Sequence, residues 1–159
     1  MDTVVGKISI SDFETITFEL PDKRKDTETL MVHPKTKNLF IVSKREEPVH
    51  VYEIKYPYST KETIIAKNIL SLPLTQIVAG DFSADGKRIL MKNYNHIYYW
   101  ENPSNKPVEE LLKDRPQEIP YEVEPQGESI TWSPDDRGFY TLSEKNKGKK
   151  SFLYFYQKK

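Results

Sequence analysis

A unit of about 50 residues recurs three times along this chain, and it narrows the available folds more than any other feature. His33, Ser83 and Ser133 stand 50 positions apart, and so do Leu39, Ile89 and Phe139. Around them, Glu28-Thr29-Leu30-Met31-Val32-His33-Pro34 aligns with residues 77–84 and with Glu128-Ser129-Ile130-Thr131-Trp132-Ser133-Pro134. Each unit has turn residues between two apolar runs: Pro34-Lys35-Thr36-Lys37-Asn38, Ala84-Asp85-Gly86-Lys87 and Pro134-Asp135-Asp136-Arg137-Gly138. Such residues between alternating polar and apolar runs specify a β-hairpin. An aromatic third run follows in each unit, at 50–54, 96–100 and 152–156. A fourth strand-like run follows in two, at 62–66 and 107–113; residues 108–113 are also the one stretch with helical character. Four strands recurring near this period are the pattern of a β-propeller blade. The reading is an all-β half-propeller of three four-stranded blades, at about 26–70, 76–113 and 124–157.

Three blades do not close a propeller, which takes typically 4–8. They leave two wide apolar faces that must be covered. The third unit stops after its third strand, while the run Glu14-Thr15-Ile16-Thr17-Phe18-Glu19-Leu20 precedes the first unit with no blade of its own. Residues 14–20 are therefore expected as an exchanged fourth strand in the third blade of another copy. Two copies then make a six-bladed ring with two-fold symmetry, the commonest closed assembly. The rival reading puts the missing half on a different polypeptide.

Composition removes several function classes. Lysine plus arginine equals aspartate plus glutamate, 24 each, so the basic excess expected of a nucleic-acid binder is absent. Without cysteine there are no disulfides, no thiolate chemistry and no Cys-based metal site. The N-terminus, Met1-Asp2-Thr3-Val4-Val5-Gly6-Lys7, lacks a signal-peptide pattern, and no apolar stretch approaches a membrane span. A soluble chain is expected, with no nucleic-acid or membrane partner and no assigned compartment. There is no HExxH, no GxSxG elbow, no phosphate-binding P-loop and no EF-hand series. His33 occupies a turn position, and His50 and His96 begin third strands in different units. The basic run 145–150 reads as a solvated loop.

Several stretches resemble a family of bacterial six-bladed propellers within the TolB- and gluconolactonase-like superfamily. They are Asp26-Thr27-Glu28-Thr29-Leu30, Asn38-Leu39-Phe40-Ile41-Val42-Ser43-Lys44-Arg45, Ala79-Gly80-Asp81-Phe82-Ser83-Ala84-Asp85-Gly86-Lys87-Arg88, Gln126-Gly127-Glu128-Ser129-Ile130 and Leu142-Ser143-Glu144. Lys92-Asn93-Tyr94 matches only at Tyr94, with lysine in place of the family's arginine. The likeness covers about 14–156 and corresponds to the C-terminal half of a family member. It implies the propeller fold. Members are often secreted and have no settled reaction; broader relatives include calcium-dependent lactonases and gluconolactonase- and phytase-like proteins.

In a blade the start of strand one lies beside the end of strand two. Glu28, Gln126 and Glu128 at strand starts, with Lys44, Arg45, Lys92, Asn93, Tyr94, Ser143 and Glu144 at strand ends, should gather at the mouth of a central channel. Glu28, Asp81, Glu128 and Glu144 could offer hard oxygen ligands to Ca²⁺, with Glu28, Asp81 and Glu128 the foremost metal candidates. Lys44, Arg45 and Lys92 could instead hold a small anionic ligand. The plainer alternative is internal pairing: Glu28 with Lys44, Asp81 with Lys92, and Glu128 with a neighbour. Asp81 lies in the middle of an innermost strand, where a carboxylate must find hydrogen-bond donors or serve as a ligand. No cofactor is expected beyond the Ca²⁺ option. The functional expectation is a binding or scaffold propeller without catalysis, assembled as a homodimer. The alternative is a metal-dependent hydrolase of the esterase, lactonase or phosphoesterase kind, acting at the channel mouth.

Overall fold

The computed structural model describes residues 13–144, 148 and 150–158. The chain opens with a two-residue strand, β1 (Phe18–Glu19). The first large sheet follows: β2 (Thr27–Val32), β3 (Leu39–Ser43), β4 (Val49–Ile54) and, after the short β5 (Ile64–Ile65), β6 (Lys67–Leu72). The second comprises β7 (Ala79–Phe82), β8 (Arg88–Lys92), β9 (Ile97–Glu101) and, after the single helical turn α1 (Val108–Leu111), β10 (Gln117–Ile119). The third has β11 (Gly127–Trp132), β12 (Gly138–Ser143) and β13 (Leu153–Gln157). All three are antiparallel meanders. The fold is all-β, and its repeated sheets fit a propeller-like domain.

The hairpins explain the 50-residue register. In each unit a backbone bond closes the turn at the repeated position: His33 N–H to Asn38 O, Ser83 N–H to Arg88 O and Ser133 N–H to Gly138 O. The serine hydroxyls accept from the far side of the turn, from Arg88 N–H at 3.0 Å and Gly138 N–H at 3.1 Å. In the first unit the His33 ring accepts from Lys35 and Thr36 N–H instead. Gly86 takes φ 70°, where glycine is unstrained, and Asp136 takes φ 61° at the equivalent position.

The innermost strands β2, β7 and β11 lie side by side, with β7 in the middle. Gly80 makes this approach possible: a Cβ there would stand 2.8 Å from the sulfur of Met31. One core lies between the first and second sheets, where Met31, Phe40, Val42 and Val51 meet Ile89, Met91 and Trp100. Another lies between the second and third, where Leu90 and Ile97 meet Ile130, Trp132 and Phe139.

Both expected fourth strands are displaced. In the first unit the fourth strand is β6, not 62–66. Ile64 and Leu20 instead pack on Ile41, Tyr52, Ile54 and Ala66, covering the outer face of the first sheet over β3 and β4. In the second unit the fourth strand is β10. The run 107–113 contains α1, and Leu111 and Leu112 fill the core between the first two sheets. Apolar pairs can plug a core as well as line a strand, and here they do the former. Within 14–20 the strand is limited to β1, which pairs in parallel with β5 of the same chain. The Tyr52 hydroxyl donates to Asp22 at 2.9 Å and anchors the following segment. The segment expected in another copy therefore has a berth on its own first sheet.

Candidate functional site

Two β-bulges prepare the site. The ladder between β2 and β3 slips between Thr27 and Thr29, and that between β11 and β12 slips between Gly127 and Ser129. The extra residues are Glu28 and Glu128. A bulge turns its residue out of the ladder and re-aims the side chain, and both carboxylates meet the same cation. Lys44 Nζ stands 2.7 Å from Glu28 Oε1 and 3.8 Å from Glu128 Oε1. The Tyr94 hydroxyl donates to Glu128, and Lys44 also lies 5.3 Å from the Tyr94 ring centroid. Burial opposes the charge on Lys44, but the hydrogen bond and charge of Glu28, with Tyr94, outweigh it and hold the ammonium above its ordinary range. The hydrogen bond to Glu128 raises the Tyr94 phenol. Glu28, Lys44, Tyr94 and Glu128 thus form one network drawn from all three sheets.

A buried pair lies behind it. Lys92 is fully enclosed; its ammonium donates to the Gly127 carbonyl, stands 3.9 Å from Glu124 and lies 5.2 Å from the Tyr121 ring centroid. Glu124 accepts from the Thr141 hydroxyl at 3.0 Å. Burial drives both groups toward neutrality, lowering Lys92 and raising Glu124. The Tyr121 hydroxyl donates to the Tyr94 carbonyl at 2.6 Å and ties this pair to the network.

Asp81 does not pair with Lys92. Asp81 is opposite Leu90 and Lys92 is opposite Ala79, two rungs away along the ladder, a diagonal of ~7–8 Å. Each finds a nearer partner on the third sheet. Asp81 accepts from the Thr131 hydroxyl at 2.8 Å and from Trp132 N–H at 2.9 Å, clamping β7 to β11. Arg45 is exposed and pairs with Asp26 at 2.5 Å. Asn93 is buried and organises its turn, its side-chain oxygen accepting from Asn95 and His96 N–H. Gln126 and Glu144 meet through the backbone, Glu144 N–H donating to Gln126 O at 3.1 Å. Lys145, Asn146, Lys147 and Lys149 of the basic run lie outside the described residues.

The donor chemistry does not suit a cation at Glu28, Asp81 and Glu128. The Lys44 ammonium occupies the space between the two glutamates, and Asp81 is engaged instead by the Thr131 hydroxyl and the Trp132 N–H. Among the described residues no group of three or more His, Asp or Glu side chains could hold a metal ion. Sequence reasoning missed Glu124, Tyr121 and Thr141. Glu124 and Tyr121 lie in the connection between β10 and β11, outside the repeat register, where only the buried position reveals a role.

No family model matches the chain, and no curated protein matches it. Solved structures do. A structure of hydrazine synthase from Kuenenia stuttgartiensis superposes with a TM-score of 0.55 and 15% identity, over 82% of this chain and 34% of that one. Sqt1 from Saccharomyces cerevisiae superposes with a TM-score of 0.55 and 9% identity, over 81% of this chain and 32% of that one. The chain spans about a third of the length of each. At such identities the likeness is one of fold alone. No helix among the described residues is long and apolar enough to cross a membrane.

Proposed function

We propose that the chain is a binding or scaffold protein without catalysis of its own, and that two copies close a six-bladed propeller around a polar channel. One observation carries this reading: both ends of the row of three sheets expose apolar side chains. On β2, Thr29 and Met31 face the second sheet, so Leu30 and Val32 point the other way, 60% and 50% exposed. On the third sheet, Leu142, Leu153 and Phe155 are exposed on the side opposite Ile130 and Phe139. In a two-fold ring each of these faces meets the other kind, twice over. Burying them contributes roughly 25 cal/mol per Å² of apolar surface removed from water.

The channel mouth supports binding better than catalysis. Its charged groups satisfy one another, and the hydroxyl within the network, on Tyr94, is held by Glu128 with its phenol raised above the ordinary range. Of its three cations only Arg45 is exposed, so a small anionic ligand would engage Arg45 first, in competition with Asp26. The hydrolase alternative needs a metal where Lys44 now sits. Light scattering on the native protein tests the assembly. The expected mass is about 37 kDa, twice the 18.7 kDa chain. A strictly monomeric mass in dilute solution overturns the reading.

A further inference from the structure

The gap between the first and second sheets opens, at its hairpin-turn end, into a cavity of about 470 Å³, a size that suits a small molecule. This end is opposite the channel mouth: along the β2–β3 ladder Thr27 pairs with Ser43 at the mouth, and Val32 with Leu39 at the turn. Five lysines line the cavity, Lys35, Lys55, Lys67, Lys87 and Lys106, against three carboxylates, Glu53, Asp85 and Glu109, and no arginine. In a chain of zero formal net charge this is a local excess of cations. The corresponding gap between the second and third sheets is a cavity of about 630 Å³, lined by one lysine and one glutamate among mostly aromatic and apolar walls. The excess therefore belongs to the first gap and not to the blade repeat.

The carboxylates are engaged by other groups. Glu53 accepts from the Asn38 side-chain amide at 2.8 Å. Asp85 accepts from the Ser83 hydroxyl at 2.6 Å and from Lys87 N–H at 3.0 Å, and Arg88 stands 3.2 Å away. Among the described residues only Lys67 and Lys106 of the five lysines are in ion pairs, with Glu109 at 3.6 Å and Asp114 at 2.6 Å. Both pairs are exposed, and such pairs contribute little against a competing anion. Lys35, Lys55 and Lys87 have no counter-charge among the described residues. Buried or half-buried side chains hold the backbone beneath several of these lysines. The His33 ring accepts from Lys35 N–H at 3.3 Å and fixes the turn that carries it. Asn102, 7% exposed, donates its N–H to the Lys87 carbonyl at 2.8 Å. Its side chain brackets Lys106, Oδ1 accepting from Lys106 N–H at 2.7 Å and Nδ2 donating to the Lys106 carbonyl at 2.8 Å. One buried asparagine thus fixes two lysines at the cavity. The floor is apolar, with Phe40 and Ile69 both buried. A concave site of one sign beside low-dielectric walls focuses its field on what enters it.

We propose that this cavity binds a small multivalent anion whose phosphate or carboxylate groups lie against Lys35, Lys87 and Lys106. Lysine is a compact point charge that imposes no planar geometry, so either oxyanion is accommodated. The site lies within one chain and needs neither the two-copy ring nor the channel mouth. The native protein is titrated with pyrophosphate and, separately, with citrate at low ionic strength, and its amide resonances are followed by NMR. One anion per chain is expected, with shifts centred on Lys35, Thr36, Gly86 and Lys87 and an affinity that falls as salt is added. Saturation by pyrophosphate alone assigns phosphate groups, by citrate alone carboxylates, and by both a site that reads charge. Lys35→Gln combined with Lys87→Gln removes two charges and breaks no ion pair; it should weaken binding by about tenfold or more. Lys158→Gln, in the second gap, should leave binding unchanged. Shifts centred on Arg45 and Asp26, undiminished binding by the double variant, or saturation by neither anion overturns the site.

Discussion

Asp81 shows how one side chain can hold two sheets together. Its carboxylate accepts one side-chain and one backbone hydrogen bond from β11, and the Trp132 N–H it satisfies is not part of the β11–β12 ladder's own closure. Asp81→Ala should cost about 2 kcal/mol, the range for hydrogen bonds to a charged group, measured by urea unfolding. An unchanged midpoint would show that the clamp contributes nothing. At the other end of the hairpin, burial works against the Asp85 charge, but the Ser83 hydroxyl, Lys87 N–H and Arg88 together bring its pKa down to about 2 from 3.8. A depressed carboxylate stabilises the fold above its unfolded pKa, and that contribution is lost as pH falls through the folded value. The Asp85 carboxyl resonance should therefore titrate near pH 2. In Ser83→Ala it should move up toward the ordinary range; a wild-type midpoint near 4 would contradict the turn geometry.

At the level of elements, the third strand of the last sheet depends on one absent side chain. A Cβ on Gly138 would fall inside the contact radius of the Tyr156 carbonyl oxygen across the β12–β13 ladder. Gly138→Ala should destabilise by ~1–3 kcal/mol and raise hydrogen exchange along β13 before the rest of the fold. Uniform loss of protection would show instead that the three sheets unfold as one. The hairpins were legible from sequence because turn chemistry and the 50-residue register coincide at His33, Ser83 and Ser133. The fourth strands were not. The runs around Ile64 and Leu111-Leu112 have strand-like composition, yet the Ile64, Leu111 and Leu112 side chains pack against sheet faces while β6 and β10 take the ladder. The network of Glu28, Lys44, Tyr94 and Glu128 was legible because it lies at strand ends, where hairpin geometry dictates proximity. The bulges that aim the two glutamates were not, since a bulge leaves no residue signature at Thr27-Glu28 or Gly127-Glu128.

For the whole molecule, charge is organised across sheets. Because Lys44 stands between the glutamates of the first and third sheets, added Ca²⁺ should leave the melting temperature unchanged. A metal-dependent hydrolase would instead gain stability from its ion, by about 2.7 kcal/mol at a hundredfold excess over the dissociation constant; a clear upward shift would revive that reading. The Lys44–Glu128 contact has a geometric consequence as well. It joins two sheets that are not neighbours in the row, reaching past the second at one end only. A tie between the first and third members of an arc sets its curvature, and curvature decides how many members complete a turn. Lys44 is thus placed to set that curvature: a shorter or uncharged residue there relaxes the arc of the three sheets, and with it the fit of the two-copy ring proposed above.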